Sequence, residues 1–308
     1  MDRTVTTIID PQLCTGCGMC IEVCPSETIT LEHRKAVVSG AESLNCGHCA
    51  AICPAGAITV AGIDPSMSAF RTFQENTEWI PHGQNDTAAL VNLMRSRRSC
   101  RNFMNSPVPQ DILEDLVKIG ITAPSGSNCQ MWTFTILPNQ ESVNMLGERI
   151  GAFFRKLNSM ANKRWLRNLM KIIGRPELHD YYHNHYESIE RGLSEWESGG
   201  RDLLFHGAAA AIIVSSNKQA SCPAEDALLA TQNILLAAHS MGLGTCLIGF
   251  AIAAMRRDGT IQQMLRLPAD ETPYAVIALG YPREEYQLVT GRKRATIRYV
   301  ETDGPSLL

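Results

Sequence analysis

The chain has 308 residues and a mass of 33.9 kDa, enough to bury a substantial core and to hold two domains of unequal size. Its formal charge of −3 and pI near 6.2 exclude a strongly basic nucleic-acid binder, and a hydrophobic fraction of 44% excludes a disordered chain. No apolar run approaches the roughly 18 residues of a membrane helix, and no basic-then-apolar leader opens the chain, so a cytoplasmic protein without nucleic-acid or membrane partners is expected.

Residues 1–60 carry the clearest chemistry. Cys14, Cys17, Cys20 and Cys24 have the spacing C-x2-C-x2-C-x3-C-P, and the offset that takes Cys17 to Cys46 also takes Cys20 to Cys49 and Cys24 to Cys53. The register continues past the cysteines, with Pro25 falling on Pro54 and the β-prone segments beyond them matching as well. At the same offset Cys14 falls on Ser43, so the second half lacks its first cysteine.

This arrangement resembles a bacterial two-cluster ferredoxin, in which the last cysteine of each run serves the other cluster. The resemblance assigns Cys14, Cys17, Cys20 and Cys53 to one 4Fe–4S cluster, and Cys24, Cys46 and Cys49 to a second centre. Ser43 would ligate the fourth iron through oxygen, leave it to water or another side chain, or leave a 3Fe–4S centre. Thiolates also suit zinc, so a structural zinc site is the alternative. Cys100, Cys129, Cys222 and Cys246 are scattered, and the chain is too long to need disulfide staples.

Residues 61–86 are punctuated by glycine, proline and polar residues and form a connector, although Phe70, Phe73 and Trp79 argue against a free tether. Asp86 is suited to cap a helix from Thr87, with Leu90, Val91 and Met94 on its apolar side. Farther along, helices are expected over residues 110–120, from an Asn139 cap through Phe154, and over 224–241. Strands are expected over residues 132–137, 208–214 and 274–279. This order supports a layered α/β or α+β core. Residues 155–202 pass from basic to acidic and include Trp165, Leu169, Tyr181 and Tyr182; they read as a helical lid over a pocket or as ordinary packing.

Three separated segments carry a second resemblance: Arg97-Arg98-Ser99-Cys100-Arg101, the stretch from Pro124 to Trp132, and the stretch from Gly242 to Phe250. Together they resemble the nitroreductase-like FMN oxidoreductase family over roughly residues 88–300. The resemblance implies an α+β, three-layer FMN-binding fold over residues 87–308, behind the ferredoxin-like iron–sulfur domain. It implies phosphate and ribityl contacts from Arg97, Arg98, Ser99 and Arg101, whose guanidinium forks suit phosphate. Pro124, Ser125, Asn128 and Gln130 would contact the flavin. Leu247, Ile248 and Gly249 would lie against the isoalloxazine, with the Gly249 N–H directed toward N5, and Arg292 or Arg294 would be a second phosphate anchor. Two departures are visible: Met131 stands where many relatives have proline, and Ile248 where some have an acidic residue.

The combined reading is an iron–sulfur flavoprotein reductase, homodimeric by family resemblance. It would pass electrons from ferredoxin or flavodoxin through the clusters to FMN, and then to a small organic acceptor such as a nitroaromatic. Direct reduction by NAD(P)H, reductive dehalogenation, alkene reduction and a non-catalytic electron-transfer or redox-sensing role are the alternatives. No side chain is assigned as catalytic acid or base. Ser43→Cys is expected to alter the EPR spectrum of the second centre, with a gain from three irons to four if that centre is 3Fe–4S; unchanged cluster composition and EPR would count against ligation by Ser43.

Overall fold

The sequence repeat recurs in the backbone of a computed structural model that describes residues 2–299. Residues 300–308, the end of the FMN-binding domain expected over 87–308, lie outside the described residues. The first half contributes β1 (Thr7–Ile9), α1 (Met19–Glu22) and β2 (Ile29–Glu32); the second contributes β3 (Lys35–Val38), α2 (His48–Ala51) and β4 (Ile58–Val60). β1 pairs antiparallel with β4, and β2 with β3, so each ladder joins one half to the other. Each short helix follows a left-handed glycine, Gly18 or Gly47. The core beneath them is small: Ile29, Ala36, Ala57, Ile58 and Val60, with Cys14, Cys20 and Cys49. A core of that size depends on a staple, and metal binding is the one its chemistry offers.

The connector is clamped onto the second domain. Asp86 caps α3 (Thr87–Ser96) by accepting from the Ala89 N–H at 3.0 Å. The next helix, α4 (Gln110–Gly120), carries Asp115, which is fully buried. Its carboxylate accepts from the backbone N–H groups of Arg71 at 2.9 Å and Thr72 at 2.8 Å, and from the Thr72 hydroxyl at 2.7 Å. Phe70 and Phe73 stack beside this clamp at 4.5 Å, whereas Trp79 is exposed. The helix expected to turn Leu90, Val91 and Met94 inward forms with the foreseen cap, but none of its residues is buried in the single chain.

After α4 come β5 (Trp132–Leu137), α5 (Gln140–Ala161), α6 (Arg164–Ile172), α7 (Glu177–Asn184) and α8 (Tyr186–Glu197). The chain then forms β6 (Ala210–Asn217), α9 (Pro223–Ser240), β7 (Gly244–Leu247), α10 (Gly249–Met255), α11 (Gly259–Met264) and β8 (Glu271–Gly280). The strands make an antiparallel sheet in the order β5-β6-β8-β7. Successive side chains of a strand leave opposite faces. Ala210, Ile212 and Val214 pack with Ile277, Leu279, α4 and α9, while Ala211 and Ile213 pack with Val276, Ala278, α5 and α10. The result is three layers with the sheet in the middle. Each fully buried isoleucine or leucine contributes roughly 1.5–3 kcal/mol, so this sandwich, not the cysteine module, holds most of the apolar stabilisation.

The helix expected to end at Phe154 continues to Ala161, because Asn158 and Ala161 remain buried on its inner face. The strand expected over 208–214 starts at Ala210 and reaches Asn217, since Ser215 and Ser216 still pair with β8 beyond a bulge. Residues 155–202 are largely helical, and Asn158 of α5 holds them: its amide donates to Glu190 at 2.7 Å and its oxygen accepts from the Tyr181 hydroxyl. Arg167 also covers the Tyr182 ring at 3.7 Å.

Burial raises the pKa of the Asp115 carboxyl, but donors from Thr72 and Arg71 outweigh burial and hold it below the ordinary carboxylate value. A depressed folded-state pKa stabilises above the unfolded value, and the contribution is lost as pH falls through the folded one. Asp115→Asn is expected to cost about 1–3 kcal/mol at neutral pH by leaving buried donors poorly matched. The deficit should shrink on acidification, and proteolysis in residues 61–86 should accelerate; equal stability and proteolysis would show that the clamp is not needed.

Candidate functional site

The cysteines divide between two small cavities as the ferredoxin resemblance requires. Cys14, Cys17, Cys20 and Cys53 line one. Cys24, Cys46, Cys49 and Ser43 line the other. Each run therefore sends its last cysteine to the other cavity. This crossed division, with the last cysteine of each run in the cavity of the other, is the ligand pattern of a two-cluster module.

Backbone donors support thiolate ligands here. The N–H groups of Ala36, Thr28 and Ala57 point at the sulfurs of Cys14, Cys24 and Cys53 at 3.4, 3.4 and 3.3 Å. The Cys14 thiol is held below its ordinary pKa by the N–H groups of Ala36 and Gly16, whereas burial, with Cys24 and Cys46 adding, pushes Cys49 up. Ser43 reproduces part of the Cys14 environment. It is buried, and its Oγ accepts the Asn45 N–H at 3.0 Å, the repeat counterpart of the Gly16 N–H beside Cys14. The serine oxygen thus occupies the place of the missing sulfur.

In the second domain, residues 97–103 run along the open edge of β7. Cys100 donates its N–H to the Thr245 carbonyl at 2.9 Å, Ser99 bridges Thr245, and Phe103 bridges Pro282. A β-carbon at Gly244 would stand 2.7 Å from the Cys100 Cβ, so glycine permits the approach. Arg97 is partly buried, and burial, then Arg292, then Arg98 push its guanidinium pKa down. Arg98 donates to the Thr290 hydroxyl at 2.7 Å, tying this group to the segment bearing Arg292. Among the described residues, none of these three arginines forms a salt bridge. Arg97 and Arg98 are partly buried and Arg292 is exposed beside them; guanidinium groups so gathered, with no carboxylate partner among the described residues, suit a phosphate. Arg294 is exposed and is not among the charges acting on Arg97. Arg101 lies apart, in the wall of a cavity of about 410 Å3 that also includes Phe154, Trp196, His206 and Phe250.

Leu247 is exposed, Ile248 is buried with its N–H on the Val276 carbonyl at 2.9 Å, and Gly249 is exposed at the start of α10. A β-carbon at Gly249 would meet no atom within 4 Å, leaving room for a planar group. The loop over residues 124–130 is held by Asp226 of α9, which accepts from the Gly126 N–H at 2.9 Å and the Cys129 thiol at 3.4 Å. Pro124 is exposed, and the Ser125 hydroxyl accepts the Gln130 N–H at 3.0 Å. Ser127, Asn128 and Gln130 all have left-handed backbones, a costly conformation for residues other than glycine. Asn128 donates to the Leu44 carbonyl at 2.9 Å and accepts from the Gln130 amide at 3.1 Å.

Residues 94–281 match the Nitroreductase family, and residues 6–60 match the 4Fe-4S dicluster domain. The chain belongs to the nitroreductase family. It is an FMN-dependent oxidoreductase with a 4Fe–4S dicluster domain at its N-terminal end. A Methanothermobacter thermautotrophicus relative named as an NADH dehydrogenase/NAD(P)H nitroreductase is 25% identical over 199 residues, covering 63% of this chain and 78% of the relative. An iodotyrosine deiodinase of Haliscomenobacter hydrossis is 24% identical over 204 residues, covering 64% of this chain and 81% of its own. The structure of a Bacteroides fragilis nitroreductase with bound FMN is similar with a TM-score of 0.49 and 24% identity, over 69% of this chain and 98% of that one.

Within this chain, Asp226, Asp115 and the Asn128–Leu44 contact carry structural roles that sequence reasoning missed. Each joins residues far apart in the chain, so no local spacing announces it. Among the described residues, no helix is long and apolar enough to cross a membrane. Gly16 offers a test of the cysteine module, because its φ is +73° and an added β-carbon would lie 2.1 Å from the Arg34 carbonyl oxygen. Gly16→Ala is expected to lower iron and sulfide content per chain substantially; retention of both would show that the loop can move without losing a centre.

Proposed function

We propose that this nitroreductase is an iron–sulfur flavoprotein reductase that takes low-potential electrons from ferredoxin or flavodoxin and delivers them to a small organic acceptor. The observation that carries the reading is the presence of two cysteine-lined cavities and a nitroreductase domain in one chain. Bound clusters would supply one-electron transfer, and bound FMN would supply the exchange between one- and two-electron chemistry.

Arg97, Arg98 and Arg292 would hold the flavin phosphate by charge, and Ser99, Pro124, Ser125 and Gln130 would line its approach. Leu247, Ile248 and Gly249 would present a flat, largely uncharged edge. The cavity bounded by Arg101, Phe154, Trp196, His206 and Phe250 is mostly apolar and large enough for a small aromatic acceptor, with α8 as part of its wall. The exposed apolar side chains of Leu90, Val91, Met94, Leu228 and Leu229 support a homodimer.

Reductive dehalogenation is the second reading, favoured by deiodinase relatives such as the one from Haliscomenobacter hydrossis. Anaerobic stopped-flow reduction discriminates the donors: reduced ferredoxin should bleach the flavin faster than NAD(P)H, and the opposite order would overturn the donor assignment. Turnover of nitroaromatic and halogenated aromatic acceptors in the same preparation separates the two readings, and sedimentation should show a dimer.

A further inference from the structure

Among the described residues, one hydrogen bond links residues 1–60 directly to residues 87–299: the Asn128 amide to the Leu44 carbonyl, at 2.9 Å. Leu44 lies between Ser43 and Cys46, and all three line the incomplete cavity. The complete cavity shares no hydrogen bond with residues 87–299 among those described, and its Cys17 is exposed. The two centres are therefore not equivalent with respect to the second domain.

We propose that the Ser43 site is the flavin-side centre of the cysteine module, and that Asn128 is the positioning residue that fixes it there. The proposal rests on the flavin role given above to the loop over residues 124–130. Three features make Asn128 suited to the task. Its backbone is left-handed, with φ of 53°, a conformation that asparagine tolerates better than most residues. Its side-chain oxygen is engaged by Gln130, which orients the amide nitrogen toward Leu44. Its loop is fixed from behind by the buried Asp226 carboxylate. The module thus meets the second domain through the backbone carbonyl next to Ser43, not through a surface remote from either centre.

The functional consequence is a direction of transfer. A one-electron protein donor would reduce the outward Cys17 site; that site would return to its oxidised state by passing the electron to the Ser43 site. The Ser43 site would in turn be oxidised as the electron moves to FMN. Two electrons from the donor and two protons from solvent balance the reduction of one FMN to FMNH2. The substitution of serine for cysteine then falls on the inner centre, where a harder oxygen ligand or an open iron changes the potential facing the flavin.

The test is an EPR-monitored redox titration of the full chain, with FMN and after FMN removal. Ser43→Cys and Cys17→Ser identify which signal belongs to which centre. Asn128→Asp keeps the size of the side chain but replaces the donor, and Asn128→Gln restores an amide. The expected result is that Asn128→Asp and FMN removal each shift the potential of the Ser43 centre and leave the Cys17 centre unchanged, with Asn128→Gln recovering part of the shift. Flavin reduction from prereduced clusters should slow several-fold in Asn128→Asp. A shift confined to the Cys17 centre, equal shifts at both, or no shift at either would overturn the placement. If the Ser43 centre alone shifts but prereduced clusters never reduce the flavin, the placement stands and the electron route proposed above fails.

Discussion

Covering both faces of β6 and β8 is the constraint from which the second domain follows. A strand buried on two sides must be apolar at successive positions, and the run from Ala210 to Val214 meets that requirement. Helices must then lie on each face, which brings in α4 and α9 on one side and α5 and α10 on the other. With its faces filled, the sheet can offer a binding site only at an edge. β7 is that edge, and residues 97–103 run beside it. The arginines therefore gather at the end of a rigid sheet, held by backbone bonds to Thr245 and Tyr281, and not on a free loop.

The cysteine module solves a different problem with the same economy of parts. Its apolar core is too small to hold two halves together, but each half gives its last cysteine to the other half's cavity. Ligands bound in both cavities would therefore couple metal binding to the pairing of the two halves. Ser43 breaks the chemical symmetry without breaking the geometric one, since its oxygen takes an N–H at the position where Cys14 takes one.

What could be read in the sequence was whatever is fixed by local chemistry. The caps at Asp86 and Asn139 and the strand Trp132–Leu137 were legible because side-chain capping and apolar runs act within a few residues. The crossed division of the cysteines between two cavities was legible because the internal repeat keeps a strict spacing. The end of α5 was not: Arg155 and Lys156 look like a surface boundary, yet Asn158 and Ala161 follow them inside. The polar end of β6 was hidden for a similar reason, since pairing with β8 overrides the serines' own preference. The run of arginines did not reveal that Arg101 parts from Arg97: regular two-residue alternation would put both on one side, but residues 97–103 form only isolated bridges, to Thr245 and then to Pro282, and do not keep that alternation.

The clamp at Asp115 changes how the thin contact between the two domains should be understood. With Arg71 and Thr72 fastened to α4, Ala69 held by the Lys118 ammonium, and residues 61–63 bonded to Thr6 and Val60, only residues 64–68 are left as the span to the cysteine module. A flexible chain of that length has a root-mean-square reach of roughly 12 Å, and the turn over Pro65–Ser68 stiffens it further. A module so tethered has an effective local concentration at the loop carrying Asn128 in at least the millimolar range. Confinement by the chain lowers what the contact must supply, and the Asn128–Leu44 bond, at roughly 0.5–1.5 kcal/mol net, then sets the register of the module rather than its whole attachment.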